Sequence, residues 1–240
     1  MFRSIWFHPN LYFFVSLGWA GVAVAKSPED GRFATAPPRK AAISRKDRVP
    51  SLSDILNQRF SFAGRVHNGN VVIRTPDDAR RLSGFSIIRG DVLIEAVQQP
   101  MFEVSKVQVI EGSLRIHQSS MLEGVRFPDL VVVAKDLEVT ANTRLREIEL
   151  PELGAVGGAI RWTANSQSTN LFLPRLKTIG QDFVLRENAF LTIVTSPYLE
   201  RIGGHLRVTR NRRLARLEMP QLRKLGLGVA VRECDNLASL

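Results

Sequence analysis

The chain has 240 residues, 44% of them apolar, and carries 33 Lys and Arg against 23 Asp and Glu, a formal net charge of +10. The positive excess supports solubility and draws polyanions without specifying a fold. A single cysteine, Cys234, excludes a disulfide framework within the chain and a lipid-attachment cysteine near its start.

Residues 1–25 read as a cleavable export signal: Arg3 in a short basic start, an apolar run over 11–25, and Ala23 and Ala25 flanking Val24, with Lys26 as the mature N-terminus. An apolar helix of about 15 residues rises roughly 22 Å, short of the ~30 Å hydrocarbon core, so cleavage is favoured over a membrane anchor. No later stretch is long enough to span a bilayer. Export without disulfides, and without any Asn-x-Ser/Thr acceptor, fits a bacterial source and a periplasmic or cell-surface location. Residues 26–50 are rich in Ala, Pro, Lys and Arg and form a disordered basic linker.

Residues 51–84 make an N-terminal cap region. Leu52, Ile55, Leu56 and Phe60 have helical spacing, and Val71, Val72 and Ile73 form a β-rich run. Thr75 then suits an N-cap, Pro76 the first helical position, Asp77 and Asp78 the positive end of the dipole, and Gly84 the stop, which predicts a short capping helix.

From 85 to 240 the sequence repeats. A column Leu114, Leu137, Ile160, Phe183, Leu206, Val229 advances in steps of 23, and two residues later Ile116, Val139, Trp162, Leu185, Val208, Val231 keep the same step. Asparagine recurs at Asn142, Asn165, Asn188 and Asn211, and proline at Pro128, Pro151, Pro174, Pro197 and Pro220. Leucine recurs at Leu130, Leu153, Leu176, Leu199 and Leu222. A fixed period of this length means a solenoid. The first coil begins near Phe85, with Ile88, Gly90, Val92 and Ile94 one residue out of phase. Regular prolines exclude a helical half-repeat, so each coil consists of short extended pieces joined by bends. A lone coil buries too little apolar surface to offset ordering its backbone, so the coils must stack as parallel sheets. The fold class is mainly β: a parallel β-helix or solenoid of 23-residue coils.

Leu-x-Leu-x-x-Asn followed by Pro-x-Leu-x-x-Ile-Gly, as in Phe183, Leu185, Asn188, Pro197, Leu199, Ile202 and Gly203, resembles the receptor L domain, whose repeats are leucine-rich-repeat-like. The resemblance covers roughly 69–240 and implies a right-handed β-helix with a leucine-rich-repeat-like cross-section, of a family that serves as ligand-binding modules. The chain departs from the family in lacking end-closing cysteines and in stopping at Leu240 before the expected proline. That leaves a C-terminal face that is open, covered by another molecule, or the product of a truncated reading frame; an open coil would allow end-to-end self-association. Lys135 and Gln181 replace glycine, Ser119 replaces asparagine and Ser168 replaces leucine, which predicts locally looser coils.

The asparagines are expected to satisfy buried backbone groups at an inward bend, with Cys234 a buried substitute in the same column. Asp182 and His205 fall in adjacent coils and can be weighed as an acid-base pair, the alternative being a polysaccharide-active enzyme. No serine or second carboxylate joins them, and acids suit strand entry. The leading surface candidates are Arg207, Arg210, Arg212, Arg213 and Arg216, a basic ridge for phosphate, sulfate or carboxylate groups, and the outward aromatics Phe172, Phe190 and Tyr198. The expected function is a non-catalytic, exported binding or adhesion module for a protein or anionic polysaccharide, with no cofactor or metal. Export disfavours nucleic acid as a partner.

Overall fold

The structure, a computed structural model, describes residues 64–238. The signal sequence over 1–25, the basic segment over 26–50 and the amphipathic turn over 52–60 lie outside the described residues. The chain winds as a three-sided parallel solenoid. Side I is an eight-stranded sheet of Val71–Ile73, Val92–Glu95, Leu114–His117, Leu137–Thr140, Ile160–Thr163, Phe183–Arg186, His205–Thr209 and Gly228–Arg232. Side II, also eight-stranded, runs from Val66–Asn68 and Ile87–Arg89 to Arg201–Ile202 and Lys224–Leu225. Side III carries two three-stranded sheets, Met101–Glu103, Gly124–Arg126 and Glu147–Glu149, then Asn170–Phe172, Ile193–Thr195 and Arg216–Glu218.

Register follows the sequence columns: Leu137 faces Leu114 and Ile160, Phe183 faces Leu206, and Leu206 faces Val229. Because alternate residues of a strand point to opposite faces, both apolar columns of side I enter the core together, and Ile116, Val139, Leu185 and Val208 are fully buried. The sheets begin earlier than Phe85. Val66 pairs with Ile87 and Val71 with Val92, so residues assigned to the cap form the first rung. The helix Pro76–Leu82 follows, with Thr75 and Asp78 forming a reciprocal capping box and Pro76 in its first turn. It takes the place that a side III strand has in later coils, packs against Met101–Glu103, and buries Ala79 and Leu82 in the common core.

The asparagine column is a continuous ladder inside the wall. Asn165 Nδ2 donates to the Val139 carbonyl at 2.8 Å, while its Oδ1 accepts the Asn142 backbone N–H at 3.2 Å. Asn188 and Asn211 repeat this arrangement one and two coils on. All four asparagines are fully buried, so each bond spares a backbone group that water cannot reach. Cys234 closes the column with a weaker thiol contact to the Val208 carbonyl at 3.7 Å, and burial pushes its thiol pKa up. Immediately before each ladder position the chain turns through a left-handed residue: Ala96, Gln118, Ala141, Ala164, Glu187, Arg210 and Glu233 all have φ between 50° and 57°. None is glycine, and a left-handed conformation costs such residues roughly 1–2 kcal/mol each. From Gln118 to Arg210 their N–H groups still reach the next coil, as from Ala141 to the Thr163 carbonyl at 3.0 Å, which offsets the strain.

A second pattern has a period of two coils. Asp91, Asp136 and Asp182 each accept the backbone N–H of the residue one coil on: Ser113 at 2.8 Å, Ala159 at 2.7 Å and His205 at 2.7 Å. The residue just before each recipient is Gly112, Gly158 or Gly204, where a Cβ would come within 2.3 Å of the aspartate Oδ1. Lys135 and Gln181 stand in the alternate coils, at positions with no carboxylate beneath them. They therefore do not loosen the wall: Lys135 N–H bonds the Gly112 carbonyl at 3.1 Å and Gln181 N–H that of Gly158 at 3.0 Å. Ser119 gives a thinner contact, its Oγ accepting Val97 N–H at 3.4 Å.

Candidate functional site

The arginine ridge runs around the bend from side I to side III, and its charges are largely answered by acids of neighbouring coils. Arg207 reaches Asp182 at 3.3 Å, Arg210 lies 3.1 Å from Glu187 and 3.2 Å from Glu233, and Arg216 is 3.7 Å from Glu218. Hydrogen bonds from Arg186 and Arg210 hold the Glu187 carboxyl below its ordinary pKa, and Glu187 and Glu233 raise that of Arg210. Glu218 lies two residues from Arg216 on the same strand, whereas Asp182, Glu187 and Glu233 are distant in sequence and reach the ridge only through the 23-residue register. Two arginines remain. Among the described residues neither Arg212 nor Arg213 has an ion-pair partner, and the Arg213 guanidinium lies over the Phe190 ring, 4.2 Å from its centroid. Phe190 and Arg213 occupy the same column in successive coils, so stacking turns the cation and its aromatic support outward at one bend.

All three aromatics expected to face outward do so: Phe172 is 55% exposed, Phe190 37% and Tyr198 57%. They do not form one patch. Phe190 lies at the bend between sides I and III, Phe172 on a strand of side III, and Tyr198 beyond that side at the turn leading to side II.

Phe172 borders a different feature. The strands of side III pair in register through Glu147–Glu149, fail to pair with Asn170–Phe172, and resume from there to Arg216–Glu218. The hydrogen-bond ladder shows the same gap. Arg146 N–H bonds the Glu123 carbonyl at 2.8 Å and Thr192 N–H that of Thr169 at 2.8 Å, but no such bond joins Thr169 to Arg146. Sides I and II stay paired across these coils.

Three columns change at this point. Inward, Ser168 takes the position held by Leu145 and Leu191, and its Oγ is buried with no hydrogen-bond partner. Outward, the ion-pair ladder Glu103, Arg126, Glu149, with Arg126 at 3.7 Å and 2.7 Å from its two acids, stops at Phe172. In the neighbouring outward column, Glu147 gives way to Asn170. The missing leucine removes one apolar anchor just before the strand, whose own Leu171 and the following Leu173 stay buried. Trp162, in the same coil, replaces the smaller Val139 and Leu185 of its column and refills the core. The outcome is an open cleft of about 450 Å³ lined by Arg146, Glu147, Ile148, Leu150, Asn170 and Phe172, among others.

The Asp182 and His205 pair has another geometry than an acid-base couple requires. Asp182 Oδ1 is engaged by the His205 backbone N–H, as Asp136 is by Ala159, and the imidazole Nδ1 lies 3.5 Å away while also 3.0 Å from Arg207. Burial pushes the Asp182 carboxyl up, but the His205 N–H and the Arg207 charge outweigh it and leave the group below its ordinary value. Its position is that of a strand-entry acceptor repeated every second coil. Among the described residues no cluster of three or more His, Cys, Asp or Glu is arranged to hold a metal, and no helix is long and apolar enough to cross a membrane. In the last coil Val229, Val231, Leu225 and Leu237 are only partly buried and Leu227 is 67% exposed. Comparison with protein-family models, with curated proteins and with solved structures finds no match to this chain.

Proposed function

We propose that the protein is a non-catalytic, exported binding module of the receptor L-domain type, whose solenoid wall carries a site for anionic groups at the bend formed by Phe190, Arg212 and Arg213. The supporting observation is the contrast along the ridge: Arg207, Arg210 and Arg216 face carboxylates, while among the described residues Arg212 and Arg213 have none and Arg213 is held against an exposed ring. A guanidinium already occupied by a carboxylate gains little from a second anion. One held flat and unpaired offers a fork of N–H donors to sulfate, phosphate or carboxylate. The partner is then an anionic polysaccharide or an acidic protein segment at the cell surface.

The test is binding of dextran sulfate and polygalacturonate to the mature protein, comparing Arg212→Ala/Arg213→Ala with Arg207→Ala/Arg210→Ala. The first pair should lose affinity at least about tenfold, since each charged hydrogen bond is worth about 1.5–3 kcal/mol. The second pair should change little. Equal losses in both would reduce the effect to overall charge and remove the bend as a site.

A further inference from the structure

We infer that the cleft on side III is a second binding site, and that it takes an uncharged saccharide of one or two rings. Its position and chemistry separate it from the arginine bend. The volume, about 450 Å³, suits a small ligand rather than a polymer face. An inserted peptide strand does not fit. It would need the flanking strands about 9.6 Å apart, two strand spacings, whereas Cα atoms across the gap still come within 8 Å.

The lining selects among the remaining ligands. Ile148, Leu150, Pro151, Pro174 and Phe172 give an apolar floor and an exposed ring at the rim. Facing them, the interrupted ladder leaves N–H groups on the Thr169 and Asn170 side and carbonyl oxygen on the Arg146 side without their usual rungs. Asn170 Oδ1 accepts from Thr192 Oγ1 at 3.3 Å, which leaves its amide donors for a ligand, and Glu147 has no ion-pair partner among the described residues.

A purely apolar guest would desolvate these groups without bonding them. An anion would meet Glu147 and Glu149 at the same wall, and a cation would meet backbone donors and the Arg146 guanidinium. A pyranose meets both demands. Its C–H face lies on the aromatic ring, and its hydroxyls, each donor and acceptor, bridge two strand edges too far apart to bond each other.

The coil that opens the cleft gives the test its sharpest variant. Trp162→Val/Ser168→Leu restores the residues found in neighbouring coils, Val139 and Leu145, and changes no lining residue. It should close the ladder and remove the site.

Wild-type protein is titrated calorimetrically with cellobiose, maltose and diacetylchitobiose, alongside this double variant, Phe172→Ala and Arg212→Ala/Arg213→Ala. At least one disaccharide should bind wild type and the arginine variant alike, with affinity reduced about tenfold or more by Phe172→Ala and by the double variant. Phe172 is exposed, so its truncation leaves the fold intact should the double variant fail to assemble. Absence of binding by all three sugars, retention of binding in Phe172→Ala, or loss confined to the arginine variant would each overturn the assignment. Because the anionic probes report on the bend and the neutral ones on the cleft, either site can fail without the other.

Discussion

Replacing Asn165 by alanine isolates what the ladder contributes. The side chain satisfies two fully buried backbone groups in the coil before it, the Val139 carbonyl at 2.8 Å and the Asn142 N–H at 3.2 Å. Asn142 Nδ2 also loses one of its two acceptors but keeps the Ile116 carbonyl at 2.9 Å. The orphaned Asn142 N–H costs about 1–3 kcal/mol and the Val139 carbonyl, which keeps its place in the parallel ladder, loses a bond worth about 0.5–1.5 kcal/mol, so Asn165→Ala should destabilise by roughly 1.5–4.5 kcal/mol. With a urea slope of about 2 kcal/mol/M, a loss near 4 kcal/mol lowers the unfolding midpoint by about 2 M. Ser119→Ala is the internal control, because Ser119 accepts a single long bond of 3.4 Å from Val97, and its loss should be about 1 kcal/mol. Urea titrations followed by far-ultraviolet circular dichroism measure both. If Asn165→Ala costs no more than Ser119→Ala, the ladder is not what satisfies the wall.

Gly204→Ala should cost about 1–3 kcal/mol, because a Cβ there would lie 2.2 Å from Asp182 Oδ1; thermal melts should show part of that cost vanishing when Asp182 is also alanine. Acid should weaken the fold through Asp91 and Asp182, whose folded pKa values lie below the ordinary 3.8. Such depressed groups stabilise above the ordinary value, and that contribution is lost as pH falls through 3.8 toward the folded value. Asp182→Asn, which keeps the Oδ1 acceptor, should flatten the decline in a pH series of melts; an unchanged curve would remove Asp182 from the account. Cys234, with its thiol pKa raised by burial, should react with a disulfide reagent at pH 7.5 several-fold more slowly than in urea-unfolded protein. Equal rates would place the thiol outside the wall.

Much of the scaffold is legible in sequence because it depends on identical contacts made once per coil. Leu137 over Leu114 and Asn165 over Asn142 follow directly from a 23-residue step. What the columns hide is anything made between coils by different residues. Arg210 reads as free charge until Glu187 and Glu233 are stacked on either side of it. Lys135 and Gln181 read as defects until the aspartates of every second coil show that Gly112, Gly158 and Gly204 each face an Oδ1 that Lys135 and Gln181 do not. The left-handed bends were invisible because alanine, glutamine, glutamate and arginine occupy them where glycine would have announced them. Ser168 was legible as a departure, but the cleft also required Trp162, Asn170 and Phe172 to change in the same coil. The extent of the first coil was missed because a helix replaces the strand that would have carried the repeat.

Native-state amide exchange tests the central claim, that between Met101 and Glu218 the strand ladder of side III is interrupted at one place. Thr169 and Asn170 should exchange far faster than their counterparts Arg146, Glu147, Thr192 and Ile193, whose N–H groups bond the Glu123 and Thr169 carbonyls. Trp162→Val/Ser168→Leu should bring all six to similar protection. If Thr169 and Asn170 are as protected in the wild type as the other four, the ladder is unbroken and there is no cleft to bind anything.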